Sequence, residues 1–206
     1  MSRGAVSERV AQRRRGAALE DAILESAYAE LSEAGYASFT VEGVAARAKT
    51  GKASIYRRWP TKQLLVLEAL ITQLPTPADC GIVPDIPDDV TTAEALHDLA
   101  RLIGGVLVSP LGAAMRAIKC EAVSDPELAR VIDERFQAPR REALMGLLRR
   151  GVARGEVRPG AVTPLIADVL PAVLTHRIIF QSEPVIEETL VEIMNDILLP
   201  LISPRA

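Results

Sequence analysis

The residues best suited to chemistry lie in one short stretch, TGKASIYRRWPTK, residues 50–62. Lys52, Arg57, Arg58 and Lys62 supply cations, Ser54 and Tyr56 supply hydroxyls, and Ile55 and Trp59 stand four apart. Ammonium, guanidinium and hydroxyl groups on one short segment suit phosphate oxygens and the acceptor edges of bases, guanine above all. The chain around them carries a net charge of −3. Its charge is unevenly placed: residues 1–62 hold 11 Lys/Arg against 7 Asp/Glu, while the remainder holds 13 against 20. A basic N-terminal part on an acidic chain points to a polyanionic partner for that part and a different task for the rest.

Other chemistries find little support. No nucleophile stands with a base, no carboxylates pair at a meaningful spacing and no phosphate loop is present, so an enzyme is not expected. Cys80 and Cys120 lack the number and spacing of a disulfide framework or metal cluster. Cys120 reads as a small buried residue, and Cys80 falls in an exposed connection. His97 and His176 are not a metal pair by sequence. His176, within an apolar stretch, reads as a dimer contact, a pocket donor or a satisfied core histidine. No metal or cofactor is expected. The basic N-terminus precedes no continuous apolar run, and LIADVLPAVL is short and broken by Asp168 and Pro171. Neither an export signal nor a membrane span is expected, and the cytoplasm is the expected compartment.

The elements that must position the basic segment follow from periodicity. With 49% apolar residues but only 3% aromatics, the core is built from Leu, Ile, Val and Ala, which suits packed helices. Residues 1–15, ending in Arg13, Arg14 and Arg15, read as a mobile basic arm. Leu19, Ile23, Ala27 and Leu31 recur every four residues, and Gly35 closes that helix. Thr40 is an N-cap for a two-turn helix whose buried face is Val41, Val44, Ala45 and Ala48. After Lys49-Thr50-Gly51 comes the basic segment, anchored inward by Ile55 and Trp59 and stopped by Pro60. Thr61 caps a further helix with Leu64, Leu67, Ile71 and Leu74 as its stripe. Such short helices hold only through packing. Two of them across a tight turn, the second one basic, make a helix-turn-helix over residues 16–62.

Residues 63–74 then form a connecting helix and 75–91 a Pro-rich connection, followed by a helical region over 92–203, about nine helices in all. Ser124 with Glu127 signals a helix start, Pro139 a bend, and Gly151 or Gly155 an end. Two closing helices are expected over about 164–181 and 184–199. The last carries Ile186, Leu190, Ile193 and Ile197 on one side, a face wider than one core contact needs. Leu99, Ile103, Met115, Phe136, Leu144, Val169 and Leu174 are candidate lining for an apolar pocket, or plain core.

The stretch FTVEGVAARAKTGKASIYRRWPTKQLLVLEAL resembles the DNA-binding domain of the TetR family of bacterial regulators. Phe39, Thr40, Val44-Ala45, Ile55, Tyr56, Trp59, Lys62 and Leu64 carry the likeness, which covers about residues 17–70, and RGEVRP precedes the last helices as in related chains. The resemblance implies an all-helical homodimer whose last two helices form a four-helix interface, with Val173 and His176 joining the face named above. It implies a double-stranded DNA operator that is partly palindromic, and a small-molecule effector whose binding releases it, most often a repressor's arrangement. It further implies that Thr40, Tyr56 and Lys62 grip phosphates while Lys52, Ala53, Ser54 and Arg57 face base edges. The chain departs from the family at the turn, where Lys49-Thr50-Gly51 replaces Gly, a small aliphatic residue and Ser or Thr. A lysine in a left-handed turn costs about 1 kcal/mol, which Lys49 offsets if it meets a phosphate. The rival reading is a helical ligand-binding or protein-interaction module that has lost DNA recognition, with that turn as its support.

Overall fold

The computed structural model describes residues 3–73, 89–177 and 187–204, with side chains from Gly16 onward. All regular structure among them is helical: α1 Arg3–Ser38, α2 Val41–Arg47, α3 Lys52–Tyr56, α4 Lys62–Gln73, α5 Thr92–Val108, α6 Pro110–Ala122, α7 Pro126–Ile132, α8 Ala138–Ala153, α9 Pro164–His176, α10 Glu187–Ile193 and α11 Leu199–Ile202. A π turn, Asp133–Gln137, joins α7 to α8, and another, Met194–Leu198, joins α10 to α11. Counting each joined pair as one interrupted helix gives nine among the described residues, as expected. None of them alone is long and apolar enough to cross a membrane. The expected connection over 75–91 lies mostly outside the described residues, as do Cys80 and Ile186.

Two compact units divide the chain: Met1–Gln73 with Ala114–Leu128, and Leu74–Ala113 with Ala129–Ala206. In the first, Ile23, Leu24, Ala27 and Leu31 of α1 are buried, as are Leu65, Val66, Leu67, Ala69 and Leu70 of α4. Leu64 is only half buried, so the inward face of α4 differs from the expected stripe. Helix α1 begins at Arg3, where a mobile arm over 1–15 was expected. The Arg-rich stretch there, with Ala5, Ala11 and Gln12, suits a helix and extends one already stabilised by packing from Ile23 onward. Gly35 takes φ 71°, ψ 167° and breaks the helix where its closure was expected.

The second unit is built on Leu96, Leu99, Leu144, Leu148, Leu170, Leu174, Leu190, Ile193, Met194 and Leu198, with others around them. A Thr91/Glu94 capping box starts α5. At the start of α7 it is Asp125 Oδ1, rather than Ser124, that accepts the Leu128 N–H at 3.0 Å. Where a bend was expected at Pro139, a π turn stands just before it, and α8 ends at Ala153 with Gly155 at φ 75°. Cys120, expected to be buried, is exposed.

Candidate nucleic-acid interface

The interface is built on a short helix, a turn and a shorter helix. Thr40 caps α2: its Oγ1 accepts the Gly43 N–H at 3.1 Å, and its hydroxyl donates toward Glu30 Oε1 at 3.5 Å. Val41, Val44 and Ala45 are buried beneath it, while Ala48 is half buried. Arg47 fastens α2 to α1, with Nε 2.9 Å from Glu30 Oε2 and its two terminal nitrogens on the Glu33 carboxylate. This acidic clamp was not foreseen, since no local periodicity links residues 14 and 17 apart.

The departing turn is closed. Lys49 sits at φ 50°, Thr50 N–H donates to Ala45 O at 3.0 Å and Lys49 N–H to Ala46 O at 3.3 Å. These are the two bonds of a Schellman ending, with lysine where glycine is favoured. Gly51 then serves as N-cap of α3 at φ −88°, ψ 145°, without a side-chain cap bond.

Helix α3 is held from below by Ile55 and Trp59, which are 0% and 5% exposed. What it displays is Lys52, Ala53, Tyr56 and the following Arg57, all exposed. Ser54 is half buried, and its hydroxyl and carbonyl both accept from Arg58 Nη1, at 3.1 and 3.0 Å. Arg58 therefore closes the C-terminal end of α3, where a cation also favours the helix dipole.

Lys62, expected on a phosphate, points back into the unit. Its Nζ donates to Tyr36 O at 2.9 Å and lies 4.5 Å from the Tyr36 ring centre and 5.7 Å from that of Phe39. The Tyr36 hydroxyl is buried with no partner at hydrogen-bond distance. Burial first, then the neighbouring Glu121 carboxylate, push its ionisation well above the usual phenol range. Glu121 is near enough to act on the phenol, yet the contact it makes at ordinary distance is with Gln63 Nε2, at 2.7 Å.

An acid on α2 pairs with the first of the displayed cations. Glu42, on the first turn of α2, accepts from Lys52 Nζ at 2.7 Å. The hydrogen bond and the charge of Lys52 hold the Glu42 carboxyl below its usual range, and Glu42 holds the ammonium above its own. In the sequence Glu42 is only a favourable first-turn residue; its partner is ten positions away.

The remaining expected residues divide. Leu99, Leu144 and Leu174 lie in the core of the second unit, with Ile103, Val169 and Val173 packed against it. Met115 is buried but belongs to the first unit, and Phe136, half buried, lies under the Arg140 guanidinium at 4.0 Å. Of the expected interface, Leu190 and Ile193 are 5% and 2% exposed in the chain's own core, while Ile197 is 36% exposed and His176 exposed. Asp168 faces Arg141, Oδ1 at 3.0 Å from Nε.

Comparison with known proteins agrees with this geometry. Residues 23–69 match the family described as bacterial regulatory proteins, tetR family, and residues 86–197 match the Tetracyclin repressor-like C-terminal domain. An uncharacterized HTH-type transcriptional regulator of Mycobacterium tuberculosis is 32% identical over 179 residues, covering 84% of this chain and 82% of its own. The DNA-binding transcriptional repressor TetR of Mycobacteroides abscessus is 30% identical over 199 residues, 93% of this chain and 98% of its own. The crystal structure of the TetR family transcription regulator SCO0332 superposes with a TM-score of 0.75 at 24% identity, covering 90% of this chain and 99% of that one. Two matched domains in series, a basic helix on an apolar anchor and relatives aligned over most of their length lead to one conclusion: the chain belongs to the TetR family of helix-turn-helix transcriptional regulators.

Proposed function

We propose that this regulator is a cytoplasmic homodimeric repressor that binds a partly palindromic duplex operator through two copies of α3 and leaves it when a small apolar or weakly polar effector binds the C-terminal unit. The observation that carries the reading is the display of Lys52, Tyr56 and Arg57 outward from a segment anchored by Ile55 and Trp59, behind a turn that closes despite Lys49. The altered turn was the support for a module without DNA recognition, and its two Schellman bonds remove that support. In a dimer the two recognition helices reach successive major grooves about 34–36 Å apart.

Lys52 and Arg57 are assigned to base edges, with Ala53 offering an apolar contact to a thymine methyl. Tyr56, Lys49 and the exposed edge of Thr40 are assigned to phosphates. Lys62 contributes to this set chiefly by fixing the Tyr36 carbonyl, and Ser54 by holding Arg58. Ile103 and Val169, partly buried against an aliphatic core, are the assigned contacts for an effector, which suits an apolar ligand better than a charged one. Such a ligand shifts DNA affinity only by its differential affinity for the two dimer states.

Selection of genomic fragments by the purified protein at near-physiological salt, beside a Tyr56→Ala, Arg57→Ala variant, tests the reading. A partly palindromic site that the variant fails to enrich supports it. Recovery of only salt-sensitive, sequence-indifferent binding by the wild type overturns it.

A further inference from the structure

The DNA-facing surface contains a contradiction. Lys52, at the start of the recognition helix, is paired at 2.7 Å with Glu42, and both side chains are more than half exposed, at 53% and 63%. A carboxylate on a surface meant for a polyanion repels the duplex, and an exposed ion pair adds little stability to set against that. The dipole of α2 accounts for an acid in its first turn, but not for that carboxylate being held on Lys52.

A reason lies in the groups that Lys52 meets on DNA. An ammonium has three N–H donors, and the pair with Glu42 occupies one. A neutral acceptor such as guanine O6 or N7 can take another while the pair persists. A phosphate brings a second anion beside Glu42, and their repulsion cancels part of the attraction to Lys52. The pair also restricts a flexible side chain before DNA arrives, lowering the ordering cost of a base contact. We propose that Glu42 is a specificity-determining residue of this interface: by holding Lys52 in an internal ion pair, it turns that cation away from phosphates and toward neutral base edges. Specificity arises here by penalising the wrong partner as much as by favouring the right one. The inference rests on the DNA-binding reading above.

The test is Glu42→Gln, which keeps the side chain's length and removes its charge, measured against the selected operator and a scrambled duplex over a salt series. The same substitution is repeated in a Lys52→Ala background, and circular dichroism confirms the helical content of each variant. The expected result is scrambled-duplex affinity raised about two- to fivefold per subunit, with the operator changed less, so that the specificity ratio falls. The salt slope on scrambled DNA steepens by about one unit per subunit, and most of the increase vanishes without Lys52. An equal rise on both duplexes that survives Lys52→Ala would mean a general charge effect and overturn the proposal. So would unchanged binding, or a loss on the operator alone, which would make Glu42 itself a base reader. If the wild type binds the operator no better than the scramble, the regulator reading fails first and takes this inference with it.

Discussion

Lys49 is the residue at which the chain's sequence and its backbone disagree most. Its φ of 50° places a Cβ where the following carbonyl crowds it, and the Schellman bonds on either side leave it no other conformation. Lys49 is exposed just before the N-cap of α3, which is where the proposed phosphate contact would set a gain against that strain. Lys49→Gly is expected to raise the denaturant midpoint, by up to about 1 kcal/mol of stability, because the strain is relieved while all neighbouring bonds remain. The same variant is expected to bind DNA more weakly and with a salt slope flatter by about one unit per subunit. Greater stability with an unchanged slope would remove Lys49 from the phosphate contacts and leave its place in the turn without a physical reason.

Apart from α1, which begins at Arg3, helices in this chain start and stop close to where local chemistry says so, and they face where distant residues decide. Gly35 holds φ 71°, ψ 167°, a region nearly closed to side chains, so Gly35→Ala is expected to cost about 1–3 kcal/mol in urea unfolding. Gly16, inside α1 with open space around its Cα, gives the opposite sign: alanine there should stabilise by about 0.5–1 kcal/mol. Gly35 was legible beforehand, as were the caps Thr40 and Thr61 and the inward pair Ile55 and Trp59, because each depends on residues within a turn or two. The closing helix was not. Its expected stripe ran through Leu190, Ile193 and Ile197, but the π turn at Met194–Leu198 adds a residue and rotates the last turns of the helix. The buried series becomes Leu190, Ile193, Met194, Leu198 and Ile202, and Ile197 turns outward. The Lys52–Glu42 pair and the Arg47 clamp were invisible for a related reason: their partners meet through the packing of α2 on α1 and α3, which no spacing encodes.

At the scale of the whole molecule, the proposed dimer has to be assembled from surface that the chain leaves uncovered, and Leu190 and Ile193 are already spent on its own core. Helix α9 offers a face instead. Leu165 is 78% exposed, Ala172 and His176 are exposed, and Val173 is half covered, all at spacings of a single helical stripe. Ile197, Val191 and Leu201 add exposed apolar surface on the closing helices. An apolar stripe of this length in water is costly unless a second copy covers it. Ala172 lies at its middle, so Ala172→Glu should leave the monomer folded, since the side chain remains in water there. In a symmetric dimer the same change buries carboxylates in an apolar contact, a loss of about 3 kcal/mol or more, enough to weaken association about a hundredfold. Sedimentation velocity should then show monomer at concentrations where the wild type is dimeric. Operator affinity should fall with it, because one recognition helix reads only half of a palindromic site. A variant that stays dimeric would place the interface elsewhere, and one that turns monomeric yet binds the operator undiminished would separate DNA recognition in this chain from its assembly.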